Sequence, residues 1–262
     1  MNRTDITVTG PRQRGAILLL LLLLLIVAAG TVLVHRADRH RAPRAQVDRA
    51  VRLNQRAVRA LLGQVVLTGC LPCPAPTPDR GLAPPQCSGQ RSAGYLPWET
   101  LGIGAQDPWN NRLRYVVDPA FAGGCHIGRG SRGRLQLLGR DAGGRLRVLA
   151  SGLPAVIVSH GPNGYGAAAA TGRLRRAVPA NHVDERTNRN SRQRFVQGPA
   201  HQEPAVAGGP FDDIVTPVPL DAVLGAAARH GGNGGEGGEA EGGTRPTRGG
   251  NAETEASHAP GG

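Results

Sequence analysis

Four cysteines have the residue type and spacing that could carry chemistry most directly, at Cys70, Cys73, Cys87 and Cys125. Cys70 and Cys73 form a C-x-x-C pair, which is typical of half a zinc site or of a redox pair. No second pair of this kind follows, because 37 residues lie between Cys87 and Cys125. An even cysteine count in a chain rich in glycine and proline favours two disulfides over a zinc site or free thiols. Three pairings are possible, and the spacing does not choose among them.

A second group of reactive side chains stands nearer the end of the chain, with Ser159 next to His160 and Asp212 next to Asp213. A serine, a histidine and a carboxylate could form a hydrolase triad. A nucleophilic serine of α/β-hydrolase type lies in a Gly-x-Ser-x-Gly turn, and no such pattern surrounds Ser159. The sequence therefore predicts no enzymatic activity and no cofactor.

The most prominent element is the apolar segment Ala16–Val34, which has 19 residues and no charge. At about 1.5 Å of rise per residue, such a helix measures roughly 28 Å, close to a hydrocarbon thickness of about 30 Å. It follows a short basic segment, residues 1–15, and it predicts a transmembrane helix over residues 16–34.

The charges beyond this segment conflict with the cysteines over orientation. Eight arginines and two aspartates lie between His35 and Arg59, and the positive-inside rule would place that side in the cytoplasm. Disulfides form in oxidising compartments, so the cysteines favour the opposite orientation.

An amphipathic helix is predicted to continue the apolar segment over residues 35–68, with a kink at Pro43. Its apolar residues recur at steps of four and three, and Asn54 fills the remaining position of the stripe. The apolar members are Val47, Val51, Val58, Leu61, Leu62 and Val65. This stripe predicts that the helix packs against its own domain.

A loop-rich domain is predicted over residues 69–225. The proline-rich residues 69–94 predict irregular structure that the cysteines hold, and residues 171–210 predict a long surface loop. Alternating and short apolar runs predict strands and a hairpin at Arg112–Val117, Arg134–Leu138, Arg145–Ala150 and Ala155–Ser159, followed by a last apolar element at Phe211–Val215. The glycine-rich residues 226–262 predict a disordered tail.

The charge of the chain is strongly positive, with a formal net charge of +12 over 262 residues. All 31 basic residues are arginine and aromatic residues make up only 3% of the chain. Nucleic-acid binding is not the favoured interpretation, because the arginines are scattered and have no interleaved aromatic platform.

The order of these segments and several short motifs resemble the type IV pilin and type II secretion pseudopilin superfamily. Gln106–Tyr115 resembles the Asp-Pro-Trp-Gly-Asn turn and the following strand of major pseudopilins. Leu71–Pro74 followed by Leu96–Gly102 is similar to a group of pilin-like proteins of proteobacteria. Ser159–Gly164 and Phe211–Val215 stand where such proteins carry related segments.

This resemblance implies that a prepilin peptidase cleaves after Gly15 and methylates Ala16 as the new amino terminus. It implies that the partners are that peptidase and other pilin or pseudopilin subunits. It also implies a single pass through the inner membrane, with the C-terminal domain in the periplasm.

Leu20 departs from the family, because most members have a glutamate five residues into the mature chain. A carboxylate there can neutralise a neighbouring subunit's N-terminal ammonium in an apolar fibre core, where an unpaired charge is costly. Its absence predicts a minor or tip subunit.

Calcium is a weaker implication, because some major pseudopilins bind it in a C-terminal loop. Asp212 and Asp213, with the backbone near Asn163, are the weak candidates here. Two adjacent carboxylates offer fewer than the six to eight oxygens that calcium prefers. A solvated turn before Ile214 is therefore the favoured interpretation, and no metal is expected.

The sequence thus predicts an α+β fold in which a long N-terminal helix, half membrane-spanning and half amphipathic, packs on a small antiparallel β-sheet domain with disulfide-held loops. The predicted function is that of a minor pilin-like or pseudopilin-like structural subunit, processed after Gly15, of a type IV pilus or a type II secretion-type envelope fibre. The alternative is a single-pass membrane-anchored protein whose basic periplasmic domain binds anionic lipid or DNA.

Overall fold

The computed structural model describes residues 12–87 and 89–233, without the side chains of residues 12–16, 32–43, 89, 90 and 233. Its largest element is helix α1, Arg12–Thr68, with 57 residues. Leucine, alanine and arginine dominate this segment, and all three are good helix formers. The helix runs through Pro43 and ends at Gly69, whose φ of 78° lies in the left-handed region that terminates helices. The predicted long N-terminal helix is therefore present as a single element.

The predicted membrane half of this helix is contradicted. Within the residues that the structure describes, no helix is long and apolar enough to cross a membrane. The prediction of a single-pass inner-membrane localisation is wrong for the same reason.

The domain that follows contains seven strands and three further helices. Helices α2, α3 and α4 span Trp98–Leu101, Val183–Asn190 and Leu220–Asn233. Strands β1 to β7 span, in chain order, Ala93–Tyr95, Arg114–Val117, Leu135–Arg140, Leu146–Leu153, Ala155–Ser159, Arg194–Val196 and Ile214–Val218.

The strands form two sheets. The first has the order β1-β2-β5-β7 and is antiparallel throughout. The second has the order β4-β3-β6, in which β3 and β4 form the predicted hairpin and β3 pairs with β6 in parallel. The prediction of an α+β domain with an antiparallel sheet is confirmed, but it missed the second sheet's third strand.

The core has two apolar layers on opposite faces of the first sheet. Tyr115, Val117 and Ile157 face α1, α4 and the proline-rich residues 69–94. Val116 and Val158 face the second sheet. This split follows from the period of two in a strand, which sends successive side chains to opposite faces.

The buried stripe of α1 differs from the predicted apolar stripe at its N-terminal end. Its fully buried members are Ala50, Asn54, Ala57, Leu61 and Val65, each with a relative exposure of 0%. The predicted members Val47 and Val51 are exposed instead. Small alanines lie in the seam because they let α1 approach α4 and the sheet closely.

Two predictions of irregular structure were wrong. The segment predicted as a surface loop, residues 171–210, contains α3 and β6. The predicted disordered tail starts inside α4, which continues to Asn233 because Val223 and Ala226 pack into the core. The structure does not describe residues 234–262, the remainder of that tail. It also does not describe residues 1–11 of the basic N-terminal segment.

Candidate functional site

The four cysteines form two disulfides, and this selects one of the three possible pairings. Cys70 pairs with Cys125 and Cys73 pairs with Cys87, with Cα–Cα distances of 5.9 and 5.6 Å. The interpretation as disulfides is confirmed over zinc and over free thiols. The cysteines are therefore structural, because they fasten the proline-rich loop and the residues around Cys125 to the end of α1.

The predicted cleavage position lies near the start of the described chain. Gly15 and Ala16 are both within the first turns of α1. Cleavage between them stays a prediction.

The side chains of Ser159 and His160, which could have belonged to a hydrolase triad, contact different carboxylates. Ser159 Oγ donates to Asp107 Oδ2 at 2.7 Å, whereas His160 Nδ1 lies 3.2 Å from Asp213 Oδ1. Successive residues at the end of β5 point to opposite faces, so each finds a different carboxylate.

Asp107 organises the turn that resembles the pseudopilin motif. Its Oδ1 accepts hydrogen bonds from the backbone N–H groups of Trp109 and Asn111 at 2.9 and 2.8 Å. Between them, Asn110 has a φ of 63°, which asparagine tolerates better than most residues. Asn111 Nδ2 then donates to Gly161 O at 2.9 Å. The turn is thus linked to the loop after β5.

A buried carboxylate cluster is the most unusual site of the described chain. Asp212 and Asp213 precede β7, and Glu185 comes from α3. The three residues are 5%, 4% and 0% exposed, and one oxygen from each lies within 4.8 Å of the others. The predicted pair of aspartates is therefore a buried triad and not a solvated turn.

Glu185 is the member that the sequence analysis missed. Its Oε1 accepts from Asn163 Nδ2 at 2.8 Å and from the Asp212 backbone N–H at 3.0 Å. Its Oε2 lies 2.7 Å from His182 Nδ1. These contacts fix α3 against the strand edge. The available signal was the acidic pair Asp184-Glu185 in an otherwise arginine-rich segment.

Asp213 and Asp212 differ in how well they are satisfied. Asp213 accepts from Asn188 Nδ2 at 2.9 Å on one oxygen and contacts His160 on the other. Asp212 Oδ2 accepts from the Asn163 backbone N–H at 3.2 Å, but its Oδ1 is buried and has no hydrogen-bond partner. The candidate region near Asn163 therefore does meet Asp212, through an N–H donor.

The electrostatics of the cluster oppose full ionisation. Burial, followed by the charges of Glu185 and Asp213, raises the pKa of Asp212 to about 8. Burial and then the charge of Asp213 raise the pKa of Glu185 above its ordinary value. A proton or a cation must therefore offset part of the negative charge at neutral pH.

The donor set fits a hard divalent cation. Carboxylate oxygens are the ligands preferred by calcium and magnesium, and Asp212 Oδ1 is a buried oxygen that lacks any other partner. Asp212, Asp213 and Glu185 are the residues that would hold such an ion. It would supply charge neutralisation rather than a reactive group.

A comparison with protein-family models, with curated proteins and with solved structures finds no match to this chain.

Proposed function

We propose that this chain is a minor pilin-like or pseudopilin-like structural subunit of a fibre. One observation supports this most directly: α1 is divided into a half that belongs to its own domain and a half that does not. Every residue from 17 to 31 is exposed, whereas Ala50 is the first buried position among the side chains of α1 that the structure describes. The proposed function of the protein is therefore assembly into the fibre through the exposed part of α1.

The domain half of α1 is firmly attached. Leu61 and Val65 are fully buried against α4 and the sheet. Asn54, also fully buried, donates from Nδ2 to Thr216 Oγ1 at 3.0 Å. This seam anchors the later half of α1 to the domain.

The free half of α1 is apolar on every side. Ile17 through Val27 are each between 56% and 69% exposed. A helix that is hydrophobic all round is ordinarily buried, and a patch of this size on a folded chain indicates an interaction site. The occupants that fit are the corresponding helices of neighbouring subunits, because such helices are largely apolar over the same segment.

The chain should be processed and should then contact other subunits through this half. Co-expression with a prepilin peptidase and pilin partners is expected to yield a chain whose mass begins at N-methylated Ala16, and Gly15→Val is expected to block this. A photoreactive residue at Leu22, which is 57% exposed, should cross-link to partner helices. The same residue at Leu82, which is 59% exposed on the domain, is the matched control.

Retention of Met1 in a cell that processes its own pilins would refute the assignment. Equal cross-linking from the two positions would also refute it. The absence of a carboxylate at Leu20 adds a further expectation: in such a cell this subunit should be scarce relative to a glutamate-bearing partner.

We infer a second, structural role for the carboxylate cluster: binding of a divalent cation that stabilises the fold. The supporting observation is the buried, unpartnered Oδ1 of Asp212. The pKa of Asp212 is raised from 3.8 to about 8, so between those values the folded state holds a proton that the unfolded state has lost. The proton retained on Asp212 stabilises the folded state fully at pH values below the unfolded-state pKa. This stabilisation is lost as the pH rises through the folded-state pKa.

In chelator, the free energy of unfolding should therefore fall with rising pH between about 4 and 8, by up to about 1.4 kcal/mol per unit. Calcium should replace the proton and raise the melting temperature at pH 8. Asp212→Asn should flatten the pH slope and remove the calcium effect, whereas Asp221→Asn, at an exposed position of α4, should change neither. Identical melting curves in calcium and in chelator at pH 8 would contradict the role.

A further inference from the structure

A cationic cavity lies beside strand β1 of the first sheet and next to the carboxylate cluster, to which His160 connects it. Its volume is about 200 Å³. Three arginines, a histidine and a tyrosine line it, together with small residues and a proline. The polar members are Arg112, Arg114, Arg189, His160 and Tyr95.

Arg114 is the central feature of this cavity. It lies on β2 and is only 9% exposed. Its Nη2 donates to Ser191 O at 2.7 Å, but its Nε is buried without a hydrogen-bond partner. A buried, charged N–H group without a hydrogen-bond acceptor costs free energy. A ligand that accepts a hydrogen bond from it would recover that free energy.

The surroundings of Arg114 increase its positive potential. Burial, followed by the charges of Arg189 and Arg192, lowers the pKa of Arg114 to about 10. The carboxylate acting on it is Asp213, which already contacts His160 and Asn188. Asp213 forms no salt bridge with Arg114.

Arg112 is held rigidly and is not neutralised by direct contact. Its Nε donates to Pro78 O at 2.6 Å and its Nη1 donates to Ala105 O at 3.1 Å. Its guanidinium lies over the ring of Trp98, 4.0 Å from the centroid. Backbone carbonyls and an aromatic face position the cation but leave its formal charge in place.

Arg189 adds a third guanidinium from α3, at the half-buried rim of the cavity. Among the residues that the structure describes, no carboxylate forms a salt bridge with Arg112, Arg114 or Arg189. Other arginines of this domain do form such pairs, as Arg140 does with Asp184 at 2.7 Å. These three arginines thus have no described carboxylate within salt-bridge distance.

We propose that this cavity binds a small oxyanion of the phosphate type, either free or as a phosphomonoester. The planar donor fork of arginine matches the oxygens of phosphate in a bidentate way. A dianion offsets more of the charge of Arg114 and Arg189, which repel each other, than a single carboxylate does. The volume exceeds that of the ion, so the remaining space accommodates a small ester group.

The test measures binding to the purified full chain by calorimetry and by ³¹P line broadening at pH 7. The probes are inorganic phosphate, glycerol 3-phosphate and acetate, each at one ionic strength set with chloride, because screening alters all charge effects. We expect saturable binding of phosphate and weaker or no binding of acetate. Tighter binding of the ester than of the free ion would assign the site to phosphomonoesters, and the reverse would assign it to inorganic phosphate.

Arg189→Met is expected to weaken phosphate binding at least tenfold, because one charge-assisted contact is lost from the rim. Arg186→Met removes the same charge from the exposed side of the same helix and is expected to leave the affinity unchanged. Arg114→Met should abolish binding, and its melting temperature shows whether it folds. Absence of saturable phosphate binding, equal affinity for acetate, or equal effects of the Arg189 and Arg186 variants would overturn the proposal.

Discussion

Replacing Cys70 and Cys125 by alanine is expected to lower the free energy of unfolding by about 4 kcal/mol. The two residues are 55 positions apart, and a cross-link that closes a longer loop removes more conformational freedom from the unfolded chain. This bridge lies at the point where α1 ends and the backbone of Leu71 donates to Phe121 O at 2.8 Å. Urea unfolding of the purified domain, compared with the parent chain, measures the difference.

The second disulfide provides the matched control. Cys73 and Cys87 are 14 positions apart, so the same relation gives about 3 kcal/mol for their replacement by alanine. The parent chain should show no reactive thiol until it is reduced. Four reactive thiols in the native chain, or no loss of stability in both double variants, would contradict the structural role of these bridges.

Leu61→Ala is expected to lower the free energy of unfolding by about 2–5 kcal/mol. Leu61 is fully buried in the layer between α1, α4 and the first sheet, and its truncation leaves a cavity there. Leu67→Ala is the control, because this leucine lies on the same helix but is 75% exposed. Its replacement should change stability by no more than about 0.5 kcal/mol.

Equal effects of the two leucine variants would mean that α1 does not pack on the domain through this face. A large effect confined to Leu61 would also support the division of α1 in the proposed function. The free half of the helix can act in assembly only if the other half is anchored.

Much of the fold followed from local patterns. The strand Ala155–Ser159 and the hairpin of β3 and β4 were predictable because their apolar runs are bounded by glycine turns. The alternation within Arg112–Val117 places Leu113, Tyr115 and Val117 on one face, and all three lie in one core layer. Each of these features depends on residues that are close in sequence.

Helix α3 could not be predicted in the same way, because its buried side chains are polar. Asp184, Glu185 and Asn188 face inward, and hydrophobic periodicity does not detect a helix of this kind. Their burial is tolerated because each finds partners from other elements, as Asn188 does with Val196 and Asp213. Such partners are known only when the chain is folded.

The prediction of a membrane-spanning helix was wrong although its local pattern was strongly apolar. The run of leucines after Ala16 indicates a strongly apolar helix, and the structure has a helix there with its side chains exposed. Exposure in one chain does not determine what covers that surface. Within the described residues, no helix is long and apolar enough to cross a membrane.

The sequence by itself determined the long helix, the presence of paired cysteines, the hairpin and the composition of the core strands, because these depend on local propensity and on periodicity. Only the tertiary structure decided which cysteines pair, which carboxylate joins Asp212 and Asp213, and which arginines meet around Arg114. Those groups are brought together from elements up to 77 residues apart, as in the contact between Arg114 and Ser191. Contacts over such separations are set by the packing of sheets and helices, which no local pattern encodes.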